Sequence, residues 1–570
     1  MSVGRVLGNQ HANTREFRVA IAEGEYLQLD DLVVTRTDVP GAGTVDTYGV
    51  VTEVEAIFEG ATYESDTFRI AEEGSMPAAK VRSAQIAVTR VDPELWVSPD
   101  PGGAVARATG EAREKALYAD EMGRPLPVGL GRDGLPVYVD VDFFDGRKGG
   151  HMSISGISGV ATKTSFALFF LRMLTGRRDI VGDAGKNLRV LVFNVKGEDL
   201  LWLDKGNKDF SEDAARAWGV LGVTPEPFPS VSLWAPPKPR SGDVMVADIA
   251  GRQDVSVFAW TPREFVNEGL LRFVFTDASD TRNQISFVAE RVEAQLRRFA
   301  VDVAGQPGAI VLRDPSEGHG HGAMVNPHKG ERVITDLDSL FLALEEFLDP
   351  PDGEPDPRWT GRVQGGTVSA FMRRMQAAVI RLGHLIQAGD SRRIDRSQAQ
   401  VTVVGIQSLH DLGQRFVVGA LLAETFGEKE RSGQRFPLSV VVLDELNKYA
   451  PREGSSPIKD MLIDIAQRGR SLGVLLVGAQ QTASRVASEV LENAAVRVTG
   501  RLDAAEAERS EYGWMLPSTR ARARLLKPGT MVVSQPSIPV PLVIDFPFPP
   551  WATRKEEVDD SGDDPFDGLA

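Results

Sequence analysis

The pattern of apolar and polar positions divides the chain into two regions that meet near residue 150. In residues 1 to about 95, short runs such as 17–20 and 48–54 alternate apolar and polar side chains, and turn-forming residues separate them. Alternation with a period of two is typical of half-buried strands, and many short strands in succession indicate a small barrel. We therefore predict a small β-barrel over residues 1–95, followed by a connecting segment rich in proline and glycine over residues 96–150.

From His151 onward, apolar strands alternate with amphipathic helices. This alternation is typical of an α/β domain with a mostly parallel sheet, which we predict over residues 151–545. Buried strands are predicted at 151–155, 188–194, 401–406, 438–444 and 473–479, and two more, at 530–534 and 540–544, are expected to close the edge of the sheet.

Two further segments interrupt or follow this α/β pattern. Ile285, Val288 and Val292 recur at helical spacing, and similar spacing elsewhere predicts a helical block inserted at about 260–395. The last segment, 546–570, ends in VDDSGDDPFDGLA, and its acidic composition predicts a tail that is disordered beyond Trp551.

Composition narrows the class of protein. The chain has 570 residues, enough for two to four domains, and a formal net charge of −16. This charge argues against a basic coat for nucleic acid but allows a basic channel inside an acidic shell. The absence of cysteine excludes disulfides and thiolate metal sites. Neither an apolar leader nor a run of about 18 apolar residues is present, so we expect a cytoplasmic protein without a membrane anchor.

The segment HMSISGISGVATKTSFALFFLRML, residues 151–174, has the order strand, small-residue loop, lysine, hydroxyl residue and apolar helix. Backbone N–H groups of such a loop surround phosphate oxygens, the lysine reaches the β and γ phosphates, and the next hydroxyl binds Mg²⁺. The candidate nucleotide-binding residues are Gly156, Ser158, Gly159, Val160, Ala161, Thr162, Lys163, Thr164 and Ser165, and Thr164 is also a candidate Mg²⁺ ligand.

This loop departs from the usual pattern G-x-x-x-x-G-K-[ST]. Thr162 stands where glycine is expected, and Gly156 precedes Lys163 by seven residues instead of six. On these residues alone, an ordinary strand–turn–helix with a solvent-exposed lysine remains an alternative.

A second candidate site follows the apolar run in LSVVVLDELNKYAP, residues 438–451. Asp444 at the end of such a strand is a candidate ligand of the Mg²⁺ shell, and Glu445 a candidate general base for the attacking water. The carboxyl end of a parallel strand is where α/β sheets bind ligands. The alternative is that the two acids cap the next helix.

The next predicted strand adds a polar residue and an arginine. It ends at Gln480, whose amide is placed to sense the γ-phosphate or orient water, and Arg470 precedes it in AQRGRSLG. An arginine stabilises charge in phosphoryl transfer, often from a neighbouring subunit. The alternatives are a surface glutamine pair and a solvated helix end carrying Arg468 and Arg470.

These residues resemble the HerA/FtsK group of P-loop ATPases, and HerA most closely. The resemblance covers residues 1 to about 545 and includes a small barrel like the HAS-barrel and His151 at the start of the phosphate-loop strand. It also rests on VVVLDEL and on GRSLGVLLVGAQQ, which is similar to the family's G-R-x-x-G…T-Q segment. It implies a RecA-like core with a helical insertion.

Carried over position by position, the resemblance implies roles for individual residues. Lys163 and Thr164 would bind nucleotide and Mg²⁺, Asp444 would support the metal, Glu445 would activate water and Gln480 would sense the γ-phosphate.

The same resemblance implies contacts between subunits. Arg470 would act as an arginine finger in a neighbouring subunit, and Arg501 would be a second contact of that kind. Asn194 stands where relatives often carry an aspartate, so the role of that position is in doubt.

The function implied is a homo-oligomeric ring, expected to be a hexamer, that threads duplex DNA using ATP. HerA proteins act with a NurA-type nuclease or another effector in DNA processing, repair or anti-phage defence. Beyond Asp444 and Glu445 the sequence has no compact cluster of metal-binding acids, so a nuclease partner would be a separate chain.

Two alternative functions and one unassigned charge pattern remain. The unusual loop allows an assembly scaffold that binds nucleotide without hydrolysing it, and the ATPase could instead move protein cargo. Arginines of the helical block are candidates for the pore or, alternatively, form a solvated face balanced by acids: Arg373, Arg374, Arg381, Arg392, Arg393 and Arg396.

Overall fold

The chain forms an amino-terminal barrel and a large sheet with a hydrophobic core on each of its two faces. The structure is a computed structural model that describes residues 2–157, 163–182, 188–197, 199–239, 245–249, 251–275, 284–317, 324–350, 354–361 and 363–559.

Six strands close the barrel in the order β1–β2–β5–β4–β3–β6. Val19, Val33 and Val105 are buried inside it, because alternate residues of each strand face the interior. The strands are β1 (Ser2–Val6), β2 (Glu16–Ile21), β3 (Leu32–Val39), β4 (Gly43–Phe58), β5 (Lys80–Asp92) and β6 (Ala104–Arg107).

The barrel is longer in sequence than predicted. Strand β6, which pairs with both β1 and β3, lies in the segment that was expected to be a connection, so the barrel ends at Arg107 and not at residue 95. Asp30 then joins the barrel to the rest of the chain through two hydrogen bonds from the Arg522 guanidinium, at 2.8 and 2.7 Å.

Twelve strands form the main sheet, in the order β12–β11–β16–β10–β17–β18–β9–β19–β20–β21–β7–β8. The first eight are parallel and the last four continue antiparallel. The strands are β7 (Pro125–Leu130), β8 (Pro136–Asp140), β9 (Met152–Ser155), β10 (Arg189–Asn194), β11 (Val231–Ala235), β12 (Ser256–Val257), β16 (Val401–Gly405), β17 (Ser439–Leu443), β18 (Val474–Gln480), β19 (Val496–Thr499), β20 (Thr530–Ser534) and β21 (Leu542–Asp545).

The centre of the sheet confirms the predicted fold class, a RecA-like P-loop core behind a small barrel. Strand β9, which leads into the predicted phosphate loop, is separated by β18 from β17, the strand that leads into Asp444. Because all three strands are parallel, their carboxyl ends meet at one edge of the sheet.

Helices cover the sheet and recur through the inserted block. The block also contains a small sheet of three strands, β13 (Ala300–Val303), β14 (Ile310–Leu312) and β15 (Met324–Val325). The helices are α1 (Glu64–Ala71), α2 (Glu111–Ala116), α3 (Lys163–Gly176), α4 (Arg178–Val181), α5 (Glu212–Val220), α6 (Pro262–Asn267), α7 (Gln284–Phe299), α8 (Leu337–Leu348), α9 (Pro357–Thr360), α10 (Gly365–Leu382), α11 (Asp411–Ser432), α12 (Leu446–Tyr449), α13 (Pro457–Asp464), α14 (Arg470–Leu472), α15 (Ser488–Glu492), α16 (Ala504–Ala507) and α17 (Pro517–Ala523).

The edge of the sheet and the last segment differ from expectation. Strands β20 and β21 do not close the sheet, since β7 and β8 from the predicted connection extend it further. Residues 546–559, predicted as part of a tail, pack on the core through buried Phe546 and Trp551, and residues 560–570 lie outside the described residues.

Candidate active site

A cavity of about 420 Å³ opens at the carboxyl ends of the parallel strands. The start of α3, the end of β10, the end of β17 and residues 548–557 form its walls. The residues that line it are Ile157, Lys163, Thr164, Ser165, Leu168, Phe193, Asn194, Val195, Lys196, Asp199, Leu200, Asn207, Asp444, Phe548, Pro549, Thr553, Arg554 and Glu557.

Lys163, the first residue of α3, is buried with 6% of its surface exposed, which excludes the alternative of a solvent-exposed lysine. Its Nζ donates to the carbonyl oxygen of Gly156 at 2.8 Å. Burial lowers the pKa of Lys163, while the negative charge of Asp444 acts in the opposite direction. Gly156 has φ of 156°, and a Cβ atom at this position would lie 3.3 Å from the Arg501 carbonyl oxygen, so the loop begins at a position that suits glycine.

Asp444 and Thr164 lie together although 280 residues separate them. Thr164 Oγ1 donates to Asp444 Oδ2 at 3.3 Å, and the backbone N–H of Glu445 donates to Asp444 Oδ1 at 2.8 Å. The carboxylate therefore faces the amino end of α3, which is the place where a P-loop site holds its metal ion.

Glu445 has a left-handed backbone, with φ of 57°. Non-glycine residues rarely adopt this conformation, and they cluster at functional sites. Its side chain makes no capping bond to α12, so the alternative of a helix cap has no support. Instead, Glu445 Oε1 lies 2.5 Å from the Nζ atom of Lys196.

Lys196 is a site residue that sequence reasoning missed. It follows β10 by two residues and is the third charged group near the Asp444 end of the cavity, after Lys163 and Glu445. Asn194, at the end of β10, is buried and donates to the carbonyl oxygen of Gly197 at 3.1 Å, so its amide stabilises the turn that carries Lys196.

Gln480 is fully buried, which rules out the alternative of a surface glutamine at this position. Its Nε2 donates to the hydroxyls of Ser153 and Ser155 on β9, each at 2.8 Å, and its backbone carbonyl accepts the N–H of Gly156 at 3.2 Å. Gln480 thus lies beside the start of the phosphate loop, and its side chain does not line the cavity.

Arg470 lies at the opposite edge of the sheet. Its side chain packs on Gly150, before the amino end of β9, where a Cβ atom at residue 150 would be 3.4 Å from the Arg470 Cβ. Strand β18 has seven residues, so about 20 Å separates its two ends. Arg470 therefore cannot reach the cavity of its own chain.

The two arginines before β18 differ in their contacts. Arg468 is exposed and pairs with Asp464 and, at 3.0 Å, with Glu430, as expected for a solvated helix end. Arg470 is exposed as well, but among the described residues it has no ion-pair partner. A turn of π-helix, residues 465–469, comes directly before it, and such turns are frequent at functional sites.

Arg501, predicted as a contact between subunits, has its backbone beside the phosphate loop of the same chain. Its carbonyl accepts the N–H of Ile157 at 2.8 Å, and its side chain is exposed. The predicted loop residues Ser158, Gly159, Val160, Ala161 and Thr162 lie outside the described residues.

The donor atoms at the Asp444 end of the cavity suit Mg²⁺. This ion takes oxygen ligands and is usually held by one or two carboxylates together with waters and substrate phosphates. Asp444 and Thr164 supply a carboxylate and a hydroxyl that already lie within 3.3 Å of each other. The predicted pair of metal ligands therefore fits the ion.

No protein-family model and no curated protein sequence matches the chain. Among solved structures, VirB4 of Thermoanaerobacter pseudethanolicus has a TM-score of 0.44 and 13% identity, over 75% of this chain and 98% of that chain. The plasmid coupling protein TrwB in complex with ADP and Mg²⁺ has a TM-score of 0.44 and 11% identity, over 74% of this chain and 90% of that chain. The genome packaging NTPase B204 from Sulfolobus turreted icosahedral virus 2 in complex with AMP has a TM-score of 0.19 and 16% identity, over 24% of this chain and 62% of that chain.

Among the described residues, none of the helices combines the length and the hydropathy that crossing a bilayer requires.

Proposed function

We propose that this chain is a ring-forming motor that hydrolyses Mg²⁺–ATP and moves along duplex DNA, as a HerA-type translocase does. The observation that carries the proposal is the convergence of Lys163, Thr164 and Asp444 on one cavity at the carboxyl edge of a RecA-like sheet. Glu445 is joined to this cavity by its ion pair with the lining residue Lys196.

Each of these residues has a task that its surroundings support. Lys163 is a buried ammonium that, within the described part of the chain, donates to a neutral carbonyl, and a phosphate oxygen is a stronger acceptor for it. Thr164 and Asp444 hold Mg²⁺, which when bound neutralises charge on the β and γ phosphates. Glu445 accepts the proton of the attacking water, and Lys196 holds its carboxylate in place before nucleotide binds.

Two further residues link the site to its neighbours. Gln480 reports on the γ-phosphate through its bonds to β9 and to Gly156, at the start of the phosphate loop. Arg470 completes the cavity of an adjacent copy, because it is exposed, has no acidic partner in the part of the chain that the structure describes, and lies about a strand length away from its own cavity. The proposed assembly is therefore a closed homo-oligomer, with a hexamer as the expected form.

The arginines of the helical block give limited support for a pore that is lined by basic side chains and holds DNA. Arg393 pairs with Glu268 and Glu424, and Arg396 pairs with Glu428. These pairs match the alternative interpretation, a solvated helical face whose arginines are balanced by acidic residues. Arg373, Arg381 and Arg392 are exposed and remain the candidates for phosphate contacts.

These neutralised arginines and the net charge of −16 favour one competing function, a motor for protein cargo. A nuclease or another effector on a separate chain is the proposed partner of the DNA motor.

Steady-state ATP hydrolysis with and without duplex DNA distinguishes the two cargoes. We expect DNA to raise the rate and added salt to remove the increase, because phosphate contacts release counterions. The triple variant Arg373→Ala, Arg381→Ala, Arg392→Ala should lose the stimulation and keep the basal rate. An ATPase that ignores DNA at every salt concentration would contradict the DNA motor and support protein cargo.

A further inference from the structure

Residues 546–559, here called the C-terminal strap, cross the mouth of the cavity. Backbone hydrogen bonds tie the strap to the segment after β10: Leu200 N–H donates to Thr553 at 3.0 Å, Ala552 N–H to Lys205 at 2.9 Å, and Asn207 N–H to Pro550 at 3.0 Å. The strap is thus a fixed wall of the site.

Two buried aromatic residues anchor the strap. Phe546 packs against Phe166 and Phe169 of α3, with ring centroids 5.5 and 5.6 Å apart. Trp551 is fully buried against Trp218, at 5.8 Å. Because α3 begins at Lys163, the strap is attached to the same helix that carries the phosphate-binding lysine.

Between these anchors lies an aromatic residue that is not buried. Phe548 is 45% exposed and lines the cavity together with Pro549. Its backbone carbonyl accepts a hydrogen bond from Trp218 Nε1 at 2.9 Å, which fixes the backbone on which the ring stands. An aromatic ring held over a cavity by rigid backbone presents a ready stacking surface.

The lining of the cavity contains two chemically different sets of side chains. One set is charged and polar, and consists of Lys163, Thr164, Asp444 and Lys196. Within it, Thr164 bonds Asp444, Lys196 pairs with Glu445 and Lys163 donates to the Gly156 carbonyl. The other set is apolar and consists of Leu168, Phe193, Leu200, Phe548 and Pro549; the lining also includes the polar residues Asp199, Asn207, Thr553, Arg554 and Glu557. A ligand with an anionic tail and a flat aromatic head matches the first two sets.

We propose that Phe548 and Pro549 form the stacking wall for the purine base of the nucleotide. The inference rests on the proposed function, since it places the base of the same ATP whose phosphates meet Lys163. Stacking depends on the π-face that all bases share, so the wall accepts adenine and guanine alike. The phosphates are held by the charged set, and Phe548 takes no part in holding them.

Binding of ATP, GTP and inorganic tripolyphosphate to the full chain tests this assignment. In Phe548→Ala, ATP and GTP should bind roughly tenfold more weakly, since stacking of one base is worth on the order of 1–3 kcal/mol, while tripolyphosphate affinity stays unchanged. Phe68→Ala, which removes an exposed ring (60% exposed) from α1, serves as the control and should alter none of the three affinities.

A second variant provides a spectroscopic readout. In Phe548→Trp the stacking wall is kept, so ATP should bind as in the wild type and quench the added indole fluorescence, whereas tripolyphosphate should not.

The outcomes separate the inference from the proposed function. If the wild type binds ATP and Phe548→Ala binds it equally well, the stacking wall is wrong and the ATP site stands. Equal losses for ATP and tripolyphosphate would also overturn the wall, because the ring would then act on the phosphates or on the fold. If the wild type binds neither ATP nor tripolyphosphate, the proposed function fails, and the inference fails with it.

Discussion

The side chains at the Asp444 end of the cavity hold one another in place. The ammonium of Lys163 bonds the Gly156 carbonyl, the hydroxyl of Thr164 bonds Asp444, and Lys196 pairs with Glu445. Each of these groups suits one component of the proposed reaction: the Lys163 ammonium suits a phosphate, the Thr164 hydroxyl and the Asp444 carboxylate suit a metal ion, and the Glu445 carboxylate suits a water molecule. The site is therefore preorganised by its own residues, and nucleotide exchanges these contacts for stronger ones.

Replacing the proposed base separates binding from hydrolysis. Glu445→Gln removes the proton acceptor and keeps the shape of the side chain, so we expect turnover to fall by about 100-fold or more while ATP still binds. Steady-state hydrolysis and equilibrium ATP binding check this pair of outcomes. Glu453→Gln, at an exposed glutamate outside the cavity, is the control and should leave both unchanged.

His151 gives the fold a pH dependence that can be measured. Burial lowers its pKa to about 4, and its Nδ1 accepts the N–H of Leu476 at 3.0 Å. Between pH 6.5 and 4 the unfolded chain binds a proton that the folded chain does not, so the free energy of unfolding falls as the pH falls through this window.

Comparing the wild type with His151→Gln isolates this contribution. Between pH 7 and pH 4.5 the wild type should lose roughly 2 to 3 kcal/mol more of its free energy of unfolding than the variant does. Urea unfolding at the two pH values measures the difference. Parallel losses in both proteins would show that His151 is not held neutral by burial.

At the scale of elements, the sequence predicts those strands whose positions are determined by a local run of apolar residues. Strands β17 and β18 lie within one residue of their predicted bounds, because a run of apolar residues between turn residues is visible locally. The predicted site residues Lys163, Thr164 and Asp444 also meet in one cavity, since the carboxyl ends of parallel strands share an edge.

Elements that depend on distant partners were not predictable from local pattern. Strand β7 contains Pro125 and Pro127, which disfavour a strand assignment, yet it extends the sheet next to β21. The strap has a proline-rich and charged sequence, and contacts with residues remote in sequence order it: Phe546 and Trp551 pack on distant helices, and backbone hydrogen bonds join it to the segment after β10. Lys196 was missed for the same reason, because its partner Glu445 is remote in sequence.

The strap should contribute measurably to stability through its buried anchor. Trp551→Ala removes a fully buried ring, so we expect the free energy of unfolding to fall by about 3–5 kcal/mol. Trp96→Ala, at a tryptophan that is 53% exposed, is the matched control and should change it little. Urea denaturation of the two variants measures both free energies of unfolding. An equally small loss in Trp551→Ala and Trp96→Ala would mean that the strap is not packed on the core.

At the scale of the whole molecule, the cavity and Arg470 lie at opposite ends of the parallel strands of one sheet. The cavity lies at the carboxyl ends of β9, β10 and β17, and Arg470 lies at the amino end of β18. A head-to-tail arrangement of copies would bring the Arg470 end of one chain to the cavity of the next, and such an arrangement closes into a ring when its rotation allows. Hydrolysis is then a property of the interface between two chains.

The most direct test of this account is ATP hydrolysis in mixtures of two inactive variants. Lys163→Ala lacks the phosphate-binding lysine and Arg470→Ala lacks the proposed finger, so each alone should be nearly inactive. Mixed assemblies place an intact Arg470 beside an intact Lys163 at some interfaces, and we predict that hydrolysis returns there. Mixing Arg470→Ala with the double variant Lys163→Ala, Arg470→Ala should restore nothing. If the first mixture stays as inactive as its components at every ratio, the shared site is contradicted.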